Sequence, residues 1–474
     1  PSSCTVTGPS CHCWPPLRTN GRKSPTSRTT GSTKRARRQI SVAVVAACLA
    51  SCVAETVMTG LLGGGHAIHF DGASGRAANL DCFIAVPGLG REGEPVALLE
   101  LEVPFGTELI HYAVGIGSVG VPGVPAGLDA LWREHGRLPW PRLLEPALRL
   151  ARDAVPMPAA HAACLVMLAP VMTMNEGARI YSPGGDILRE GDLLRQPGLV
   201  AALVALADEG PRSAYEGTIG RALLGLVEER GGLITEQDLS AYQAHWSEPV
   251  EAEFRGYGIR SRAGLSDFPR ALARLTELRG LSEPERALAF VGALLDGIPA
   301  QHGTTNISAF DAEGNACVLT TSLGLGSGDF VQGFDLHLNS MLGEADLLTG
   351  PLEPGERMAS MMAPCLALDR RGVALAAGAA GGTRLRSALL QVVAGILDEG
   401  LEPQDAVDRP RLHPVESLVH LEPGFGPKTT GALEAAGFEV RAWPTRHHYF
   451  GGVSAVTRNG AAGDPRRSGE ARVV

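Results

Sequence analysis

Aromatic side chains make up only 5% of the 474 residues, and no apolar run is long enough to cross a bilayer. Cysteine is sparse where a disulfide scaffold would need it. Five of the nine (Cys4, Cys11, Cys13, Cys48, Cys52) crowd the first 52 residues, and Cys82, Cys164, Cys317 and Cys365 are scattered over the rest. That pattern is no disulfide framework, and Cys11-His12-Cys13 lacks a second ligand pair at zinc spacing. The 13 histidines include no H-E-x-x-H, so no metal or other cofactor is expected; the lack of G-x-S-x-G leaves an α/β-hydrolase serine unsupported. Acid is missing before Glu55, whereas eight bases precede it. Setting that +8 aside from the net charge of −9 leaves −17 for the body of the chain, which argues against a nucleic-acid partner.

What is abundant is small and turn-forming: 60 glycines and 33 prolines among 44% hydrophobic residues, enough for a large core and two or three domains. Residues 1–39, rich in Ser, Thr, Arg and Pro without a hydrophobic period, read as disordered or foreign to the fold. "ISVAVVAACLASCVAETVMTGLLGGG" has two readings. One is an export signal with a lipoprotein-like box at Leu49–Cys52. The other, favoured here together with a cytoplasmic location, is a buried small-residue helix entering the Gly63–Gly65 turn. From Gly127 to Arg152 the pattern predicts two helices broken around Pro139–Pro141, and "QPGLVAALVALADEG" and "IGRALLGLVEERGGLITEQDLSAYQAH" continue the 3.6-residue period. After residue 300, "NISAF", "ACVLTTS", "PCLALD" and "VALAAG" predict short strands, and "TRLRSALLQVVAGILDEG" returns to an amphipathic helix. Such an order suggests stacked sheets covered by helices.

Three stretches invite a chemical reading. "GIGSVG" matches a dinucleotide-binding G-x-G-x-x-G, but Pro122 and Pro125 occupy the stretch where its helix would run, so it is read as a Gly/Pro loop. "GAAGGTR" (Gly378–Arg384) joins a strand to a long helix; it is either a tight turn or a set of backbone N–H groups facing an anion. "HGTTNIS" is an ordinary strand start unless the chain is cut between Gly303 and Thr304. In that case Thr304 carries both a hydroxyl nucleophile and a free α-amine, with Ser322 at the end of the hairpin partner to orient it.

Taken in order, "LLGGGHAIHFD", "GVPGVPAGLDALWREHGRLPW", "GGLITEQDLSAYQ", "GTTNISAFDAEGNA", "LNSMLGEADL", "PGERMASMMAP", "GAAGGTRLRSALLQ" and "YFGGVSAVTRNGAAGDPRR" resemble the γ-glutamyltransferase (glutathione hydrolase) family of N-terminal-nucleophile hydrolases. The resemblance spans roughly residues 42–474. It implies an α/β fold, a four-layer αββα sandwich, divided into a helix-rich region 40–303 and a strand-rich region 304–474 that begins at the nucleophile. It also implies autoprocessing at Gly303–Thr304 into two subunits that stay together, with homodimerisation left open. The partners implied are a γ-glutamyl or related acyl amide donor and a water, amine or peptide acceptor.

By the same resemblance, Thr304 is the nucleophile, its freed amine (pKa about 7.7–8.0) is the general base, and Gly381 and Gly382 form the oxyanion hole. Ser322 stands for a family threonine that orients the nucleophile, while Ser360, Glu344 and Asn339 are expected at the donor. Several positions depart from the family pattern. Phe83 lies where a family arginine clamps the donor α-carboxylate, and an apolar ring cannot replace a bidentate guanidinium. Asn306 replaces a histidine, Gly324 an asparagine and Met361 a second serine, and "SRAGLSDFPRALARL" occupies the place of a Pro/Ser/Gly-rich segment. An acylase for a less polar acyl amide, and an unprocessed non-catalytic relative, are the alternatives.

Overall fold

The computed structural model describes residues 4–9, 40–91, 96–105, 108–295 and 304–473. Gly303, half of the expected scissile peptide, lies outside the described residues.

Two sheets face each other. Their strands, in chain order, are β1 (Cys4–Pro9), β2 (Gly64–Asp71), β3 (Arg76–Cys82), β4 (His245–Ser247), β5 (Val250–Phe254), β6 (Tyr257–Ser261), β7 (Thr305–Asp311), β8 (Ala316–Ser322), β9 (Cys365–Asp369), β10 (Gly372–Ala380), β11 (Gly452–Thr457), β12 (Ala461–Ala462) and β13 (Gly469–Val473). The first sheet runs β13-β1-β7-β8-β2-β3-β4, and the second runs β12-β11-β10-β9-β6-β5. Every pairing within them is antiparallel. Of the N-terminal segment read as disordered or foreign, the described residues 4–9 form β1, inserted between β7 and β13.

Five helices matter for the site: α1 (Ile40–Ala54), α2 (Val124–His135), α3 (Trp140–Asp153), α4 (Glu283–Leu294) and α5 (Thr383–Leu397). The two helices expected around Pro139–Pro141 are α2 and α3. Pro125 sits in the first turn of α2, where its missing N–H is tolerated, and the Gly/Pro segment before it is a loop with one 3₁₀ turn. α1 is apolar on all sides and buried nearly throughout, as befits a central helix rather than a surface one. Among the described residues no helix is long and apolar enough to cross a membrane.

Three cores define four layers. Cys48, Leu49 and Cys52 of α1, with Leu144 of α3, pack on Ile307, Ala309, Cys317 and Leu319 of the first sheet. Ile68, Phe70, Ala316 and Val318 meet Leu366, Val373 and Ala376 between the sheets. Leu375, Ala377 and Val453 of the second sheet are covered by Phe290 and Val291 of α4 and Leu389 and Val393 of α5. The order is helix, sheet, sheet, helix, the αββα sandwich expected.

Candidate active site

Thr304 immediately precedes β7 and is only 4% exposed. Successive strand side chains point to opposite faces, and β7 obeys this strictly. Thr305, Ile307 and Ala309 face α1, the first through a hydrogen bond to Glu55 and the others through the apolar core. Asn306 and Ser308 face the second sheet, where they meet Ser454 of β11. Thr304 falls on that same face, with Ala380, Gly452 and Val453 on one side of it and Ser322 and Gly382 on the other.

Asn306 ties the sheets together. Its Nδ2 donates to Ser454 Oγ and, at 3.1 Å, to Ser308 Oγ, while its Oδ1 accepts from Thr320 Oγ1 at 2.6 Å. Gly378 of β10 makes this approach possible, because a Cβ there would lie 2.1 Å from Asn306 Oδ1.

Gly381 and Gly382 form the strand-to-helix turn at the head of α5, with φ of +126° and +61°. These angles belong to glycine's permissive region, and a Cβ on Gly381 would also strike Gly451 Cα at 2.8 Å. Ser322 closes β8 one step beyond the Thr305–Thr321 pair, and its Oγ accepts from Gly324 N at 2.9 Å. Ser360 is buried; its Oγ accepts from Met362 N and its carbonyl from Arg262 Nη1. Glu344 is 1% exposed and packs against Gly324, whose φ of +71° and lack of a Cβ make room for the carboxylate. Burial first, then the charge of Glu344, push the Tyr112 hydroxyl pKa up, with Arg384 opposing.

Thr304, Ser322, Glu344, Ser360 and Gly382 thus line one cleft, together with Phe83, Met341, Leu347, Met361, Met362 and Leu385. Its free volume of about 20 Å³ is room for about one water molecule. Of the expected residues, Gly381 does not line this cleft, and neither does Asn339. Its Nδ2 donates to the carbonyls of Leu62 and Gly120, and its Oδ1 accepts from the N–H groups of Gly120 and Met341. With its amide spent on backbone groups it holds three loops together instead of reaching the cleft.

Two features went unread in the sequence. Glu55 is fully buried at the end of α1, and burial lifts its carboxyl pKa to about 8 against the opposing hydrogen bonds of Thr305 and Ser51. Its signal was an isolated acid in an apolar stretch. Beyond Thr304, Asp464 and Arg467 line the other side; Asp464 binds Arg411 and Arg466 in a buried ion cluster and accepts from Val453 N at 2.9 Å. Burial depresses the pKa of the Arg467 guanidinium, which Asp464 and Cys164 partly restore.

Comparison with known proteins bears on the family and the fold. The family model for gamma-glutamyltranspeptidase matches residues 42–286 and 282–474. The chain is 28% identical over 489 residues to the acylase ACY 1 proenzyme of Pseudomonas sp. (strain V22), covering 88% of this chain and 85% of that protein. It is 26% identical over 399 residues to the glutathione hydrolase proenzyme of Escherichia coli (strain K12), covering 68% and 69%. In fold it is similar to the crystal structure of cephalosporin acylase from Bacillus halodurans, with a TM-score of 0.79, 20% identity, and coverage of 99% of this chain and 96% of that one.

Proposed function

The chain belongs to the γ-glutamyltranspeptidase family, and from that premise we propose that it cuts itself before Thr304 and then works as an amidohydrolase through an acyl-enzyme on that residue. The observation that carries this reading is the position of Thr304. It directly precedes β7, on the face that meets Gly382 in the turn at the head of α5.

In the maturation step Thr304 Oγ attacks the Gly303 carbonyl, and its proton passes to the departing Thr304 nitrogen. The resulting ester is hydrolysed by water, leaving a carboxylate on Gly303 and a free amine and hydroxyl on Thr304. The products are subunits 1–303 and 304–474. In turnover the amine takes the proton from Oγ as it attacks the donor amide, and gives it to the leaving amine. The N–H groups of Gly381 and Gly382 stabilise the oxyanion, Ser322 orients the nucleophile, and water or an acceptor amine then releases the acyl group.

The donor is a γ-glutamyl or related acyl amide, held at Glu344 and Ser360. Glu344 suits the donor's ammonium. A second reading, an acylase for a less polar acyl group, is favoured by the cleft's other lining, because Phe83 and three methionines offer apolar, adaptable surface where a carboxylate clamp would need a cation. The relatives' names, an acylase and a glutathione hydrolase, are compatible with both.

Intact mass and N-terminal sequencing test the reading. Two fragments are expected, one beginning Thr304-Thr305-Asn306, and Thr304→Ala should leave one chain of 49.5 kDa without amidase activity. A parent protein that stays uncut on long incubation would overturn it. Turnover of a γ-glutamyl anilide, lost in Glu344→Gln, selects the first donor; turnover of an aliphatic acyl anilide alone selects the second.

A further inference from the structure

Glu55 has no part in the mechanism above, yet it touches the residue next to the nucleophile. It lies in the turn that continues α1: its N–H donates to Ser51 O at 2.8 Å, and its carbonyl accepts from Met58 and Thr59 N–H at 2.8 and 3.0 Å. Its side chain therefore projects from a rigid element. Oε2 accepts from Thr305 Oγ1 at 2.7 Å, and Oε1 has no hydrogen-bond partner among the described residues. Four residues on, Thr59 Oγ1 meets Thr321 Oγ1 at 2.8 Å, and Thr321 is the pairing partner of Thr305. One helical turn thus grips both strands of the nucleophile hairpin from below.

The charge state follows from the surroundings. A fully buried carboxylate with one oxygen unsatisfied and no cation bonded to it is far costlier than the neutral acid. The groups that act on it are the Thr305 and Ser51 hydroxyls, and the neighbouring ionisable group is the buried free thiol of Cys52 on α1, itself hydrogen-bonded to the thiol of Cys48. Arg467 reaches the same turn at Met58 Sδ, 3.2 Å away, and donates to His448 O, not to Glu55.

We propose that Glu55 is a positioning residue for Thr304, acting through Thr305 as an uncharged carboxylic acid; the inference rests on Thr304 being the nucleophile. Two consequences follow from the neutral form. Thr305 is pinned, so the peptide that sets Thr304 has one orientation. No negative charge stands one residue from the place where an oxyanion must form and where the amine must lose its proton. Ionised, Glu55 would oppose the oxyanion and hold the amine as ammonium, slowing both self-cleavage and turnover. With its carboxyl pKa raised to about 8, that slowing sets in as pH rises through 8.

The experiment measures self-cleavage and turnover in the parent, Glu55→Gln, Glu55→Ala and Thr305→Val from pH 6 to 9.5, with circular dichroism to establish that each folds. Infrared difference spectra of parent and Glu55→Gln at pH 7 read the acid directly. Expected are a protonated-carboxyl band present only in the parent and rates down about 100-fold in Glu55→Ala. Glu55→Gln should rescue most of that loss and lack the parent's decline above pH 8. Thr305→Val should fall as far as Glu55→Ala, and combining the two should cost no more than either alone. Absence of the band, parental rates in Glu55→Ala, or Glu55→Gln as slow as Glu55→Ala would each overturn the proposal while leaving Thr304 in place. Should Glu55→Ala fail to fold, the band, the Gln rescue and Thr305→Val still decide. An uncut parent would remove the nucleophile itself, and this inference with it.

Discussion

Replacing Asn306 by alanine is the sharpest test of how the two sheets are joined beside the nucleophile. The amide holds Thr320, Ser308 and Ser454 in one buried network. Ser308 and Ser454 keep their own hydroxyl contact at 2.8 Å when the amide is removed, so the principal orphan is the Thr320 hydroxyl. One buried donor left unsatisfied costs about 1–3 kcal/mol, and the space vacated by the amide adds to it, so a loss of about 2–4 kcal/mol is expected. The network also fixes a sign. All three atoms nearest a Cβ on Gly378 belong to Asn306, at 2.1, 2.7 and 2.9 Å. Gly378→Ala must therefore be strongly destabilising in the parent and much less so when Asn306 is already alanine. Urea unfolding of the parent, both single variants and the double variant, compared at equal m values, gives the coupling. A double variant whose loss equals the sum of the single losses would refute the contact on which the reasoning stands.

Gly381→Ala should lower kcat about 10²–10³-fold, the usual loss for a displaced oxyanion donor, because φ of +126° and a Cβ 2.8 Å from Gly451 Cα force the turn to move; an unchanged kcat would remove Gly381 from the site. Acid should destabilise the protein. Burial holds His69, His161 and His337 at pKa values of about 3, so the unfolded chain binds their protons near pH 6.5 while the folded one does not. Their contribution is complete above pH 6.5 and falls by up to ~1.4 kcal/mol per histidine per unit as pH drops from 6.5 toward 3. Unfolding midpoints at pH 7 and 5 check this. Glu55 has the opposite sign: the native state keeps its proton between pH 4.5 and 8 while the unfolded chain has lost it, so stability declines as pH rises across that window, and Glu55→Gln should remove the decline.

Much of this was legible in the chain itself. The alternation in "NISAF" and "ACVLTTS" predicted the hairpin, the prolines around residue 140 separated α2 from α3, and ordered motifs from "LLGGGHAIHFD" to "GDPRR" pointed to the family. These are local signals: side-chain period, turn chemistry and the order of short stretches along one chain. Asn339 shows their limit, since its motif suggested a ligand contact and only the packing of three distant loops commits its amide to backbone groups.

The same holds for Glu55, 250 residues from the threonine it binds, and for Gly378, whose missing Cβ matters only because Asn306 arrives from the other sheet. The sequence by itself determined the hairpin, helices α2 and α3 and the threonine at the head of β7, because propensity and periodicity act over a few residues. Which groups surround that threonine, and which of them carry charge, was decided by the stacking of two sheets between helices, because burial and hydrogen-bond partners are properties of residues far apart in the chain.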